Sequence, residues 1–188
     1  VVIADVSGKG IPAAIFMAVS RTVIRTTAIQ GMSPGACIAR SNSRISKESS
    51  NGMFVTVFYG IYNVKTGEIS YCNAGHNSPF ILKENGKVEE LPMSTNLIVG
   101  IMDGFEFEEG RCQLEPGDTL FTYTDGVSEA MDVNLEMFGE DRMKASLAKV
   151  PQHTCQQIID TMKADVADYT KGAEQSDDIT MLALKRLS

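Results

Sequence analysis

The apolar period along the chain changes several times, and each change marks an element. Val1-Val2-Ile3-Ala4 is an unbroken apolar run, as in a buried strand. It leads into the glycine-rich turn Asp5-Val6-Ser7-Gly8-Lys9-Gly10. Ile11-Pro12 then opens an apolar helix that fades near Gln30-Gly31. Ser33-Pro34 reads as the cap and first turn of a second helix ending near Ser46 or Lys47. From Met53 the period becomes two. Residues 53–62 and 69–72 predict one hairpin, and residues 80–83 and 88–91 another. Residues 105–108 alternate apolar and acidic, as a half-exposed strand does, and residues 119–124 form a further strand. Helical patterns return at 127–131, 140–148 and 154–169, before a last strand at 179–185. Helices, an antiparallel meander, more helices and a strand predict an α+β layered fold. No repeat or low-complexity linker interrupts residues 1–188, so one domain is expected.

Composition narrows the classes. With 43% apolar and 22% charged residues, the chain has the balance of a globular protein. A net charge of −7 repels phosphate backbones, and Lys185-Arg186 is too short a basic stretch to offset it, which argues against nucleic acid. Cys37, Cys72, Cys112 and Cys155 lack Cys-x-x-Cys spacing, which argues against structural zinc and a disulfide framework. They read as thiols of a reducing, cytoplasmic setting. No apolar run approaches the roughly 20 residues of a membrane span, and no signal peptide is read. The chain opens without Met on a strand already under way, so a longer polypeptide is expected.

Three apolar segments carry aspartate at a strand end: Asp5 after Val2-Ile3-Ala4, Asp125-Gly126 after residues 119–124, and Asp177-Asp178 before the last strand. Carboxylates gathered there would repel one another unless a cation neutralised them. Oxygen-only ligands favour Mg²⁺, Mn²⁺ or Ca²⁺ over zinc. Taken singly, the same residues are an ordinary Asp-Gly turn and a solvated pair of acids. The first loop could also cradle a phosphate, but Gly10 follows Lys9 where a P-loop has Ser or Thr, which disfavours a nucleotide-binding enzyme. His76 reads as a hydrogen-bonded turn residue and His153 as a loop residue. Lys9 is a candidate phosphate contact. Met17, Met53 and Met181 read as core, and Glu106, Glu108 and Glu109 as a solvated strand face.

Four segments in order, Asp5-Val6-Ser7-Gly8-Lys9-Gly10, Asn73-Ala74-Gly75-His76-Asn77-Ser78-Pro79, Tyr123-Thr124-Asp125-Gly126-Val127-Ser128-Glu129-Ala130 and Asp177-Asp178-Ile179-Thr180, resemble the PPM-type phosphatases of the SpoIIE/RsbU group, bacterial relatives of the type 2C protein phosphatases. The resemblance implies a four-layer αββα sandwich of antiparallel sheets with a binuclear Mn²⁺ or Mg²⁺ centre. It implies that Asp5 bridges both metals and that the Val6 carbonyl is a further ligand. Asp125 and Asp177 complete the first metal, and Asp178 orients the site or caps the strand. Asp5, Asp125 and Asp177 are thereby the implied catalytic residues, with Gly8, Gly10 and Gly126 as backbone devices. The implied reaction is hydrolysis of phosphoserine or phosphothreonine by a metal-activated water, without a covalent phosphoenzyme. The implied substrate is a phosphorylated STAS-type anti-sigma-factor antagonist, under control of an upstream sensor or receiver domain. The family also places an aspartate upstream of the Asp5 segment. N-terminal truncation of the domain, with a weakened second metal, is therefore expected. The competing reading is a degenerate, non-catalytic phosphatase-like binding module.

Overall fold

The computed structural model describes residues 1–48, 52–150, 154–175 and 177–187. His153, expected in a loop, lies outside them. In chain order the elements are β1 (Val2–Val6), α1 (Gly10–Ala28), α2 (Pro34–Glu48), β2 (Val55–Tyr62), β3 (Glu68–Ala74), β4 (Phe80–Leu82), β5 (Val88–Glu90), β6 (Gly110–Gln113), β7 (Thr119–Tyr123), α3 (Asp125–Ser128), α4 (Gly139–Ala148), α5 (Cys155–Tyr169) and β8 (Met181–Lys185). They fall into two compact units, each drawn from two stretches of chain: Val1–His76 with Met93–Cys112, and Asn77–Pro92 with Gln113–Ser188.

The first unit holds a sheet in the order β1-β2-β3-β6. Strand alternation sends Val55, Val57, Tyr59, Cys72 and Ala74 to one face, where they meet Phe16 and Ile24 of α1 and Cys37, Ile38 and Ile45 of α2. Each Val, Ile or Phe side chain among them contributes about 1.5–3 kcal/mol on burial. A one-residue slip of β2 would forfeit that whole row, so the register is firmly set. Pro12 sits in the first turn of α1, where its missing N–H leaves no bond unmade.

The second unit holds the sheet β5-β4-β7-β8. Phe80, Leu82, Phe121 and Tyr123 face Met143 and Leu147 of α4 and Ile158, Met162 and Val166 of α5. The Phe80 and Tyr123 rings stack with centroids 5.4 Å apart. A capping box starts α5: Thr154 N–H donates to Gln157 Oε1 at 2.9 Å, and Gln157 N–H donates to Thr154 Oγ1 at 3.2 Å. Met53 and Met181 pack against the two cores, as expected of them. None of the four cysteines is joined in a disulfide. Among the described residues no helix is long and apolar enough to cross a membrane.

Three expectations are corrected. The strands do not run as one meander, because the chain leaves the first sheet after β3 and β4 begins the second. The turn at 73–76 that carries His76 is therefore a crossing between sheets and not a hairpin. Residues 105–108 form no strand; pairing begins at Gly110. There the Asn96 side chain takes the place of a neighbouring strand, accepting from Glu108 N–H at 2.8 Å and donating to Glu108 O at 2.9 Å. Glu109 is no idle surface acid either, since its Oε1 accepts the Gly35 N–H at 2.8 Å in the first turn of α2.

Candidate metal centre

In the first unit the ladder places Asp5. Asp5 pairs with Thr56 and Val6 with Val55 across β1 and β2. Ala4 and Val6 pack on the helical core, so Asp5, like Ile3, projects from the opposite face. Val55 exchanges both of its backbone hydrogen bonds with Val99, at 2.9 and 3.0 Å, which turns its polar groups away from β1. Val6–Val55 is thus a non-hydrogen-bonded pair. The Val6 carbonyl points to the outer edge of β1, itself an edge strand of the sheet.

The loop after β1 is pinned at once. Ser7 N–H donates to Phe54 O at 2.9 Å, and Ser7 Oγ accepts from Phe54 N–H at 2.9 Å. Gly8 and Gly10 then take φ of +86° and +75°, a region that costs L side chains energy and glycine none. Lys9, between them, is exposed in extended backbone ahead of α1.

In the second unit Thr124 joins the other two motifs. Its N–H donates to Thr180 O at 3.0 Å, and its hydroxyl donates to Asp178 O at 2.9 Å and accepts from Thr180 N–H at 2.9 Å. Asp125 opens α3 directly after this clamp, half-buried. Gly126 is needed for space: a Cβ there would overlap the Asp178 carbonyl oxygen and lie 2.9 Å from its carbon. Asp177 is exposed, its Oδ1 accepting the Asp178 N–H at 2.8 Å. Asp178 anchors the segment through its backbone carbonyl, which accepts the Thr124 hydroxyl.

Sequence reading missed Thr56, Asn73 and Thr124. They are polar residues within strands or at their ends, and neither composition nor spacing sets them apart. His76 is buried, 6% exposed, with Nδ1 at 2.9 Å from Thr56 Oγ1. The Asn73 side chain closes the turn around it, donating to His76 O at 2.9 Å and accepting from His76 N–H at 2.8 Å. The hydrogen-bonded reading of His76 agrees with this.

The donors on offer are carboxylates and a peptide carbonyl, all hard oxygens that suit Mg²⁺ or Mn²⁺. Taken by itself, the first unit supplies Asp5 and Val6, and the second supplies Asp125 and Asp177. Among the described residues no three His, Cys, Asp or Glu stand together as a ready metal cluster.

Comparison with known proteins gives the family. The family model for Stage II sporulation protein E (SpoIIE) matches residues 1–187. Protein IcfG of Synechocystis sp. is 33% identical over 214 residues, covering 99% of this chain and 33% of IcfG. Phosphoserine phosphatase RsbU of Bacillus subtilis is 27% identical over 188 residues, covering 99% of this chain and 55% of RsbU. The chain therefore spans between a third and just over half the length of these curated relatives. The structure of the PP2C phosphatase domain and a regulatory-domain fragment of SpoIIE from Bacillus subtilis shares the fold at a TM-score of 0.81, with 23% identity over 97% of this chain and 52% of that one. RsbX in complex with magnesium does so at 0.66, with 18% identity over 97% of this chain and 78% of that one. With its mixed helices and antiparallel sheets, the chain belongs to the SpoIIE family and is an α+β, PPM-type protein-phosphatase domain of the SpoIIE/RsbU group.

Proposed function

We propose that this chain is a metal-dependent protein serine/threonine phosphatase that hydrolyses phosphoserine or phosphothreonine, its two units acting as one phosphatase domain over residues 1–188. The observation that carries the reading is the clamp in which Thr124 holds the Asp177-Asp178 segment beside Asp125. Asp5, the Val6 carbonyl, Asp125 and Asp177 are the metal ligands in this reading, with Asp5 shared between two sites. Mn²⁺ or Mg²⁺ is the cofactor, supported by the all-oxygen donor set and by the magnesium complex of RsbX. When bound, such ions neutralise phosphate charge and lower the pKa of a water into the useful range. The chain's own part is positional: the β1 ladder holds Asp5 fixed, and the clamp sets the spacing of Asp125 and Asp177. Asp177 is exposed, which suits a substrate as large as a folded phosphoprotein.

The substrate class we favour is a phosphorylated STAS-type anti-anti-sigma factor in the cytoplasm, supported by the likeness to RsbU, a phosphoserine phosphatase. An upstream sensor or receiver domain in the full-length protein agrees with the greater length of IcfG and RsbU. The test is Mn²⁺-dependent phosphate release from an aryl phosphate and from a phosphoserine STAS protein. Asp125→Asn is expected to lower turnover at least about a hundredfold, beyond the range seen for outer-shell changes. Turnover that ignores Asp125→Asn would sink the site assignment. No metal-dependent turnover in the unmutated protein would leave the non-catalytic binding module as the better reading.

A further inference from the structure

Beside Asp5 lies a buried imidazole that the proposed reaction does not use. We propose that His76 is a positioning residue for the Asp5 half of the site, acting through the Thr56 hydroxyl and not on substrate. The proposal rests on the phosphatase reading above and adds a relay to it.

Register carries the first step. Thr56 stands directly opposite Asp5 in the β1–β2 ladder, and such partners share a face with Cβ atoms about 5 Å apart. The Thr56 side chain is therefore the direct cross-strand partner of the Asp5 side chain on that face. Its hydroxyl also lies 3.4 Å from the Asp5 carbonyl oxygen, at the outer limit of a hydrogen bond. The His76 Nδ1 contact, at 2.9 Å, is the shorter of the two and holds Oγ1 in place whichever of the two atoms donates. A β-branched side chain has a stiff χ1, so fixing Oγ1 fixes the whole Thr56 rotamer beside Asp5.

His76 is itself held. Both polar ends of the Asn73 side chain grip the His76 backbone, and Gly75 turns the chain at φ +71°. A Cβ on Gly75 would overlap the Ile98 side chain, so the turn passes closely against Ile98. Asn73, His76 and Thr56 thus form one hydrogen-bonded line ending at Asp5. A histidine acting only as core filler would need no hydroxyl at Thr56; valine would pack equally well there.

The test compares Thr56→Val, His76→Gln, His76→Asn and the Thr56→Val/His76→Gln double variant in the full chain. Mn²⁺ affinity is read by titration calorimetry, and amide hydrogen exchange at Asp5 and Thr56 is read without metal. Orienting partners behind a metal ligand are worth about 10- to 100-fold in affinity. Thr56→Val and His76→Gln are each expected to weaken Mn²⁺ binding about tenfold, and together no more than either alone. His76→Asn, whose δ-nitrogen can occupy the place of Nδ1, is expected to recover most of the loss. Without metal, exchange at Asp5 and Thr56 should quicken about five- to tenfold in Thr56→Val and His76→Gln, the net worth of one hydrogen bond.

Unchanged exchange, or losses that multiply in the double variant, would overturn the relay. So would a His76→Asn protein with normal Mn²⁺ affinity but a displaced limb in its pH–rate profile, since that marks proton transfer by His76. If the unmutated chain binds no Mn²⁺ while exchange responds as expected, the metal reading fails and the relay to Asp5 stands.

Discussion

The two units hold their aspartates by different means. In the first, Asp5 sits inside a five-residue strand, and every ladder bond around it helps to fix its place. In the second, Asp125 and Asp177 lie outside regular pairing, and one threonine side chain with one glycine keeps their segments together. A ladder spreads the task over many backbone bonds, so the strand keeps its place even where a side chain such as Thr56, which orients Asp5, is lost. A clamp concentrates it, so the second unit should be the fragile half. The cores differ as well. That of the first unit includes the buried thiols of Cys37 and Cys72, whereas no cysteine is found among the described core residues of the second.

The largest expected effect is at Gly126. Gly126→Ala forces a Cβ into the Asp178 backbone and should cost about 3 kcal/mol, the upper range for overpacking. Urea unfolding measures it; a cost below about 0.5 kcal/mol would show that the segment yields easily. Thr124→Val comes next, removing both side-chain hydrogen bonds of the clamp at nearly constant shape. A loss of about 2 kcal/mol is expected, with Mn²⁺ affinity falling more steeply than stability alone would require.

Ser7→Ala is the matched change in the first unit. It removes one hydrogen bond to Phe54 and leaves the ladder whole, so about 1 kcal/mol and little change in Mn²⁺ affinity are expected. Equal effects of Thr124→Val and Ser7→Ala on affinity would erase the contrast between clamp and ladder.

An alkaline effect that vanishes at neutral pH comes from a buried thiol. Burial, aided by the charge of Glu109 and then by Cys37, pushes the Cys72 thiol up from its ordinary value near 9 to about 12. In the unfolded chain the thiol ionises near 9, while in the folded chain it stays neutral. Its contribution is therefore complete below pH 9 and is lost as pH rises towards 12. Cys72→Ala should flatten that alkaline decline in denaturation midpoints, and an unchanged slope would rule the thiol out as its source.

Much of this was legible in the residues. The helices at 10–28, 34–48 and 155–169 announced themselves by apolar period and by Pro12, Pro34 and Thr154 at their starts. Asp5, Asp125 and Asp177 were singled out by four motifs in family order, since each acid alone is an ordinary turn or strand-edge residue. The division of the strands between two sheets was implied by the family resemblance alone, since β3 and β4 carry the same period-two pattern whether or not they pair. Residues 105–108 misled because alternation reports which side chains are buried, whereas a strand also needs a partner backbone. There the partner is the Asn96 amide, 12 residues away in sequence.

By itself the sequence determined the helices, the apolar faces of the strands, the acidic candidates and the family motifs, because these depend on local periodicity and residue chemistry. Tertiary structure decided the rest. Hydrogen bonds between residues 20 to 56 apart decided that Thr56 meets His76 and that Thr124 binds Asp178 and Thr180. Such pairings depend on register and on where the chain crosses between sheets, and no local pattern encodes either.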